Sequence, residues 1–199
     1  MTDYIVPADE LDAINEMLES IGQTPVSAVD SPIGDVGIAR GMLRRATRSC
    51  QLLGWDFNTD EGYALSPQTD GTLRVPEGVL RIDAVDAIST LVRRRHPDGF
   101  WAIWDGTRLS WQHPSPVKFR LTWAFAFNDM PDSARHFVSM SAARRFQNRI
   151  IGASSLDGYS AEDEAKAWHT LLRDERANRD TNLFRRNATL ARSINNRRY

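Results

Sequence analysis

Leu11, Ile14, Leu18 and Ile21 recur at steps of three and four residues, and Gly22 with Pro25 beyond it closes the pattern. That spacing lays one apolar stripe on a helix over about residues 8–21. After a stretch rich in Pro and Gly, Val36, Ala39, Leu43, Ala46, Cys50 and Leu53 repeat the stepping, while Arg40, Arg44 and Arg48 fall four apart on another face. A second helix is predicted over about residues 33–53. From Trp55 the period drops to two. Val117, Phe119, Leu121, Trp123 and Phe125 alternate with Lys118, Arg120, Thr122 and Ala124, which predicts a strand with one buried face. Upstream, Phe100–Trp104 and Thr107–Trp111 flank Asp105 and Gly106, a dipeptide suited to a tight hairpin turn. Leu73–Val75, Val79–Asp83 and Leu91–Arg94 read as further short strands, parted by Pro76, Gly78 and the turn Pro97, Asp98, Gly99.

Helical stepping returns at Pro131, where Ala134, Val138, Ala142, Phe146 and Ile150 lie four apart and Gly152 offers a stop, giving a third helix over about residues 131–151. Ser160 and Asp163 form a capping-box pattern ahead of Ala161, Ala165, Trp168 and Leu172 on one face of a fourth helix. Past residue 180 the apolar period fails. The predicted fold is α+β: a four-helix bundle (1–54 and 131–180), an antiparallel β module (55–130) inserted between helices two and three, and an extended arginine-rich tail (181–199). The helices can share one core only if the ends of the insert lie close together.

The formal net charge of −1 conceals a segregation. Residues 1–39 hold eight Asp or Glu and no Lys or Arg, whereas residues 181–199 hold five arginines and no acid. A chain polarised in this way favours head-to-tail association or an external partner. Only Lys118 and Lys166 are lysine among the 25 basic residues, and the planar guanidinium suits bidentate contacts at interfaces. No apolar run is long enough to span a bilayer, which takes about 20 residues, and the acidic start lacks the features of a signal peptide.

Candidate chemistry is sparse. Cys50 falls on the apolar stripe of helix two, where a thiol acts as a small hydrophobe, and one cysteine forms no internal disulfide. His96, His113, His136 and His169 lie in separate elements without metal-ligand spacing. Gly34, Gly37 and Gly41 match neither the dinucleotide fingerprint nor a P-loop and instead suit close approach of helix two to another backbone. No cofactor is indicated, and no carboxylate pair stands out for catalysis. Arg93, Arg94 and Arg95, the helix-two row and the terminal cluster could each meet phosphates, but a sequence pI of about 6.4 argues against a dedicated nucleic-acid binder. The tail combines its arginines with Phe184, Leu190, Ile194 and Tyr199, which suits docking into a groove on a partner.

The order of motifs carries a resemblance. The helix ending ESIGQTPV, the segment ARGMLRRATRSCQLLGWDFNTD, the stretch YALSPQTDGTLRVPEGVLRID and the DGTRLSW turn together resemble the tail tubular protein A family of short-tailed phages, adaptors at the head-to-tail junction. Its most specific parts are the Gly-Trp-x-Phe-Asn box at Gly54–Asn58, with Asp at position 56 where the family commonly has an aromatic residue, and the run Leu73–Asp83.

The resemblance implies a non-enzymatic virion protein, made in the host cytoplasm, that forms a dodecameric ring between the portal and the tail nozzle protein, with genomic DNA as transient cargo in the lumen. It also implies that the C-terminal segment grips the portal, which makes Phe184, Arg185, Arg186, Arg192, Arg197, Arg198 and Tyr199 portal-contact candidates. Arg40, Arg44 and Arg48 are candidates for the subunit interface, though the acidic first helix could equally face them within one subunit. Two rival readings remain open: a nucleic-acid-binding module using the same arginines, and a tail-borne glycan hydrolase.

Overall fold

A computed structural model describes residues 9–29, 34–85, 90–150, 152 and 154–186, the side chains of 154–160 and 179–186 excepted. The chain divides into a helical unit, Met1–Cys50 with Ala126–Tyr199, and an inserted unit, Gln51–Phe125. The class is α+β, with the β strands between helices two and three.

In the helical unit, α1 spans Glu10–Glu19. The Asp9 carboxylate accepts the Asp12 N–H at 2.9 Å and Asp12 accepts the Asp9 N–H at 3.1 Å, a reciprocal cap worth about 1 kcal/mol. The helix buries Ala13, Ile14, Met17 and Leu18, and the Gln23 N–H donates to the Leu18 carbonyl at 3.0 Å to close its end. Helix α2, Gly34–Gln51, buries Ala39, Met42, Leu43, Ala46 and Cys50. Leu53 is no part of that stripe: the helix stops two residues earlier, and Leu53 is 57% exposed. Helix α3, Asp132–Ile150, buries Ala134, Val138, Ala142 and Phe146 at the expected spacing.

Helix α4 runs from Ser154 to Arg186, longer at both ends than the pattern indicated. Ser160 lies inside it, six residues past its first residue, rather than ahead of it. Passing Gly158 costs about 1 kcal/mol, less than nucleating a new helix. No Gly or Pro follows before Arg186, so nothing stops the backbone at residue 180, and Thr181–Arg186 is helix rather than extended tail. Residues 187–199 lie outside the described residues. The packed face also differs from the one read from the pattern. Ala167, Leu171 and Glu175 are buried, Trp168 and Leu172 flank them, and Ala161 and Ala165 are exposed. Phe137 meets Trp168 with ring centroids 5.0 Å apart and Arg144 pairs with Glu164, so α3 and α4 pack antiparallel.

The inserted unit begins on a hub of buried amides. Gly54, at φ +77°, turns the chain after α2, in a region where side chains are rarely accommodated. Asn58, 1% exposed, then accepts the Trp55 N–H at 2.8 Å and donates to the carbonyls of Gln51 at 3.0 Å and Trp123 at 2.8 Å. Gln51, also 1% exposed, donates to the Phe125 carbonyl at 3.0 Å and accepts the Phe125 N–H at 2.7 Å. The two ends of the insert are thereby fastened to each other. This accounts for the Gly-Trp-x-Phe-Asn box: Trp55 is buried, Asn58 is the hub, and position 56 is exposed and tolerates an acid.

Strands β1 (Thr59–Leu65), β2 (Val79–Ala84) and β5 (Val117–Trp123) form an antiparallel sheet in the order β1-β5-β2. β1 went unread because its residues are mostly solvent-facing and a bulge between Asp60 and Tyr63 breaks its alternation. β5 stops at Trp123, short of the predicted Phe125, a residue 37% exposed whose backbone is held by Gln51. Strands β3 (Leu91–Arg95) and β4 (Trp101–Asp105) pair as a hairpin around Pro97–Gly99. Leu65, Leu73, Val75, Val79, Ile103, Phe119 and Leu121 form one core cluster.

The predicted hairpin between Phe100–Trp104 and Thr107–Trp111 does not form. One edge of β4 pairs with β3, and the other is taken by Leu73–Val75, whose backbone bonds Trp101 and Ile103 at 2.9 and 3.0 Å. Only Asp105 and Ser110 bridge across the turn. The Asp105 carboxylate accepts the N–H groups of Thr107 and Arg108 at 2.9 and 3.1 Å, and Leu109, at φ +51°, takes the left-handed position. Gly106 serves a close approach instead, since a Cβ there would lie 2.9 Å from Thr90 Oγ1.

Two outcomes follow. Asn58→Leu strands three backbone groups and should cost about 2–4 kcal/mol, read from urea unfolding. Asp70 accepts the Thr72 hydroxyl and N–H at 2.7 and 2.8 Å, which, with a smaller contribution from Arg74, lowers its pKa from 3.8 to about 2. The stabilisation is present above the unfolded value and lost as pH falls toward 2. Asp70→Asn should therefore lower the urea midpoint at neutral pH and flatten its decline between about pH 4 and 2.

Candidate interaction surfaces

Cys50, His113 and His96 hold structural positions. Cys50 is buried in α2, and His113 is buried with a ring nitrogen 3.0 Å from the Ile103 carbonyl. His96 stacks on Phe100 at 4.5 Å, while His136 and His169 are exposed on α3 and α4. Among the described residues no group of three or more His, Cys, Asp or Glu could hold a metal ion. Among them, too, no helix is long and apolar enough to cross a membrane.

The α2 arginine row separates into two kinds. Arg40 pairs with Glu10 of α1 at 3.2 Å and donates to the Val29 carbonyl at 3.4 Å, so it joins two helices of its own unit. Arg44 and Arg48 are exposed. Beside them the glycines of α2 line a groove of about 390 Å³, formed by Gly34, Gly37, Ile38, Gly41, Arg45 and Arg149 of α3. Without side chains at 34, 37 and 41, the α2 backbone is open to close approach.

On α1, Asp12, Glu16 and Glu19 are exposed at steps of four and three, which puts them on one helix face. The Glu16 carboxyl is partly desolvated although the residue as a whole is exposed. That desolvation raises its pKa, His136 opposes the shift and Glu19 adds to it.

The inserted unit carries a second kind of surface, which sequence reading missed. Across the β3–β4 hairpin the Arg94 guanidinium lies 5.6 Å from the Trp104 ring, Trp104 meets Trp111 at 4.9 Å, Trp111 meets His96 at 4.9 Å, and Arg74 covers Phe100 at 4.1 Å. On the opposite face Arg93 and Arg95 lie over Trp101 at 4.5 and 5.7 Å. Each such contact is worth about 0.5–1 kcal/mol at an exposed site and holds the guanidinium plane in place. Arg93 also donates to the Val79 carbonyl at 2.8 Å, while Val92 and Trp101 are 42% and 41% exposed. Arginine and tryptophan together are the composition of binding hot spots. The signal was the Arg93–Arg95 run followed by Trp101, Trp104 and Trp111, but only the pairing of β3 with β4 shows that they stack.

Of the portal-contact candidates, Phe184, Arg185 and Arg186 lie on the last turns of α4, and Arg192, Arg197, Arg198 and Tyr199 lie outside the described residues.

A family model described as tail tubular protein matches residues 11–181, which takes in both units. Tail tubular protein A of Klebsiella phage KP34 is 29% identical over 187 residues, covering 92% of this chain and 97% of that protein. With four helices, an inserted antiparallel β unit and a match over most of its length, the chain belongs to the tail tubular protein family and is a structural protein of a phage tail.

Proposed function

We propose that this protein is the adaptor at the head-to-tail junction of the virion, a dodecameric ring that joins the portal to the tail nozzle protein and passes the genome through its lumen without enzymatic chemistry. The observation that carries this reading is the family match across residues 11–181. Charge segregation supports the assembly step. A closed ring uses a heterologous interface, one patch meeting a different patch on the next copy, and a chain with an acidic start and exposed arginines has patches of opposite sign to offer. With Arg40 engaged by Glu10, the interface role falls to Arg44 and Arg48. The arginine–tryptophan hairpin of the inserted unit serves the nozzle or a neighbouring subunit.

The family match ends at 181, and the C-terminal residues beyond it support a portal grip by their own chemistry. Helix α4 is 33 residues long, roughly 50 Å, and Arg176, Ala177 and Asn178 after the buried Glu175 are exposed. It carries Phe184, Arg185 and Arg186 toward a segment with Arg192, Arg197, Arg198 and Tyr199. Ordering such a segment on a partner costs about 2–5 kcal/mol, offset by apolar burial and charge-assisted pairing and multiplied by copy number in a ring. The lumen wall is neutral or acidic, because exposed arginines there would hold phosphates and slow passage.

Truncation after Asp180 should leave a folded protein that no longer attaches to portal-bearing heads, scored by co-sedimentation and by circular dichroism of the truncated chain. Attachment at the wild-type level would reject the C-terminal grip.

A further inference from the structure

We infer that the glycine-floored groove between α2 and α3 is the acceptor for the acidic face of α1 from a second copy of this chain. The inference rests on the ring reading above and names the two patches that meet. Arg45 and Arg149 border the groove, and none of the ion pairs among the described residues involves either of them. Both are exposed, as are Arg44 and Arg48 on the same helix and Arg145, one turn before Arg149. Each of these five lies within one turn of another along its helix, so like charges crowd together at a cost that an external anion relieves. The floor of Gly34, Gly37 and Gly41, with Ile38, admits another helix closely enough for its carboxylates to reach the rim.

The chain supplies that anion itself. Eight acids precede Arg40, and Asp12, Glu16 and Glu19 stand exposed on one face of a ten-residue helix. Their spacing places successive Cβ atoms about 5–6 Å apart, a row that can address Arg45 and Arg149 together. Protein carboxylate fits better than nucleic-acid phosphate. A dedicated DNA-binding face belongs to a basic protein, whereas this chain carries a net charge of −1. In a ring that lets a duplex pass, five bare arginines are also better covered than facing the channel.

Gly41 offers a steric test independent of charge. Among the described residues a Cβ there meets only Arg45 Nη1 at 3.5 Å, an ordinary contact, so Gly41→Leu should fill the groove without disturbing the fold and should raise the melting temperature through better helix propensity. Self-association of the full chain, measured by sedimentation velocity and by electron microscopy on purified portal rings, should weaken at least about tenfold in three variants. These are Gly41→Leu, Arg45→Glu with Arg149→Glu, and Glu16→Arg with Glu19→Arg. Combining the two charge reversals should restore association to within about threefold of wild type, with Gly41→Leu remaining unrescued.

Wild-type rings whose assembly is unchanged in these variants, or reversals that do not rescue each other, overturn the inference and leave the ring standing. A wild type that forms no ring on the portal overturns both. If Arg45→Glu with Arg149→Glu abolishes salt-dependent duplex binding while self-association persists, the groove is a nucleic-acid face and the inference fails.

Discussion

Two buried amide side chains hold the inserted unit closed at its base. Gln51 grips both backbone groups of Phe125, and Asn58 ties the carbonyls of Gln51 and Trp123 together while taking the Trp55 N–H. Each amide is almost fully enclosed, so every bond it makes replaces a desolvated group that would otherwise go unpaired. The consequence is topological. A segment of 75 residues can interrupt a helical chain because its first and last residues are neighbours. The stretch around Asn58 is thus a closure device for the insert, and its chemistry is structural throughout.

Arginine does two different jobs in this protein, and the surroundings of each side chain decide which. Arg40, Arg120 and Arg144 meet carboxylates of their own chain, at 3.2 Å to Glu10, 2.7 Å to Glu61 and 2.5 Å to Glu164. Arg94 and Arg95 lie on tryptophan rings, and Arg44, Arg45, Arg48 and Arg149 stand in solvent. Exposed pairs contribute at most about 1 kcal/mol each, so the second and third groups are not retained for the stability of the chain alone. They are the part of the arginine complement left available on the surface, and the ring proposed above would use them at contacts between chains.

Helix α4 changes character along its length. Its middle packs on α3 through Ala167, Trp168 and Leu171, whereas Arg176, Ala177 and Asn178 after Glu175 are all exposed. The helical backbone continues to Arg186 because the sequence contains no helix breaker there. A helix of that kind transmits position: it carries its terminal arginines at a set rise per residue from the packed part.

Local pattern was sufficient for α1, α2, α3 and β5, since each places apolar residues at a period its own backbone imposes and buries that face. It was sufficient also for the α+β class and for the polarity of charge along the chain. The residues around Asp105 show where that stops. Asp-Gly between two apolar runs suits a hairpin, yet strand pairing is settled by competition for β4's two edges, which Leu91–Arg95 and Leu73–Val75 win. β1 is an edge strand with little buried surface and a bulge, so it leaves almost no periodic trace. The amide hub, the stacking of arginine on tryptophan and the groove beside α2 depend on residues brought together from distant parts of the chain. Periodicity reports the face a residue belongs to within its own element, and only the folded chain decides what that face meets.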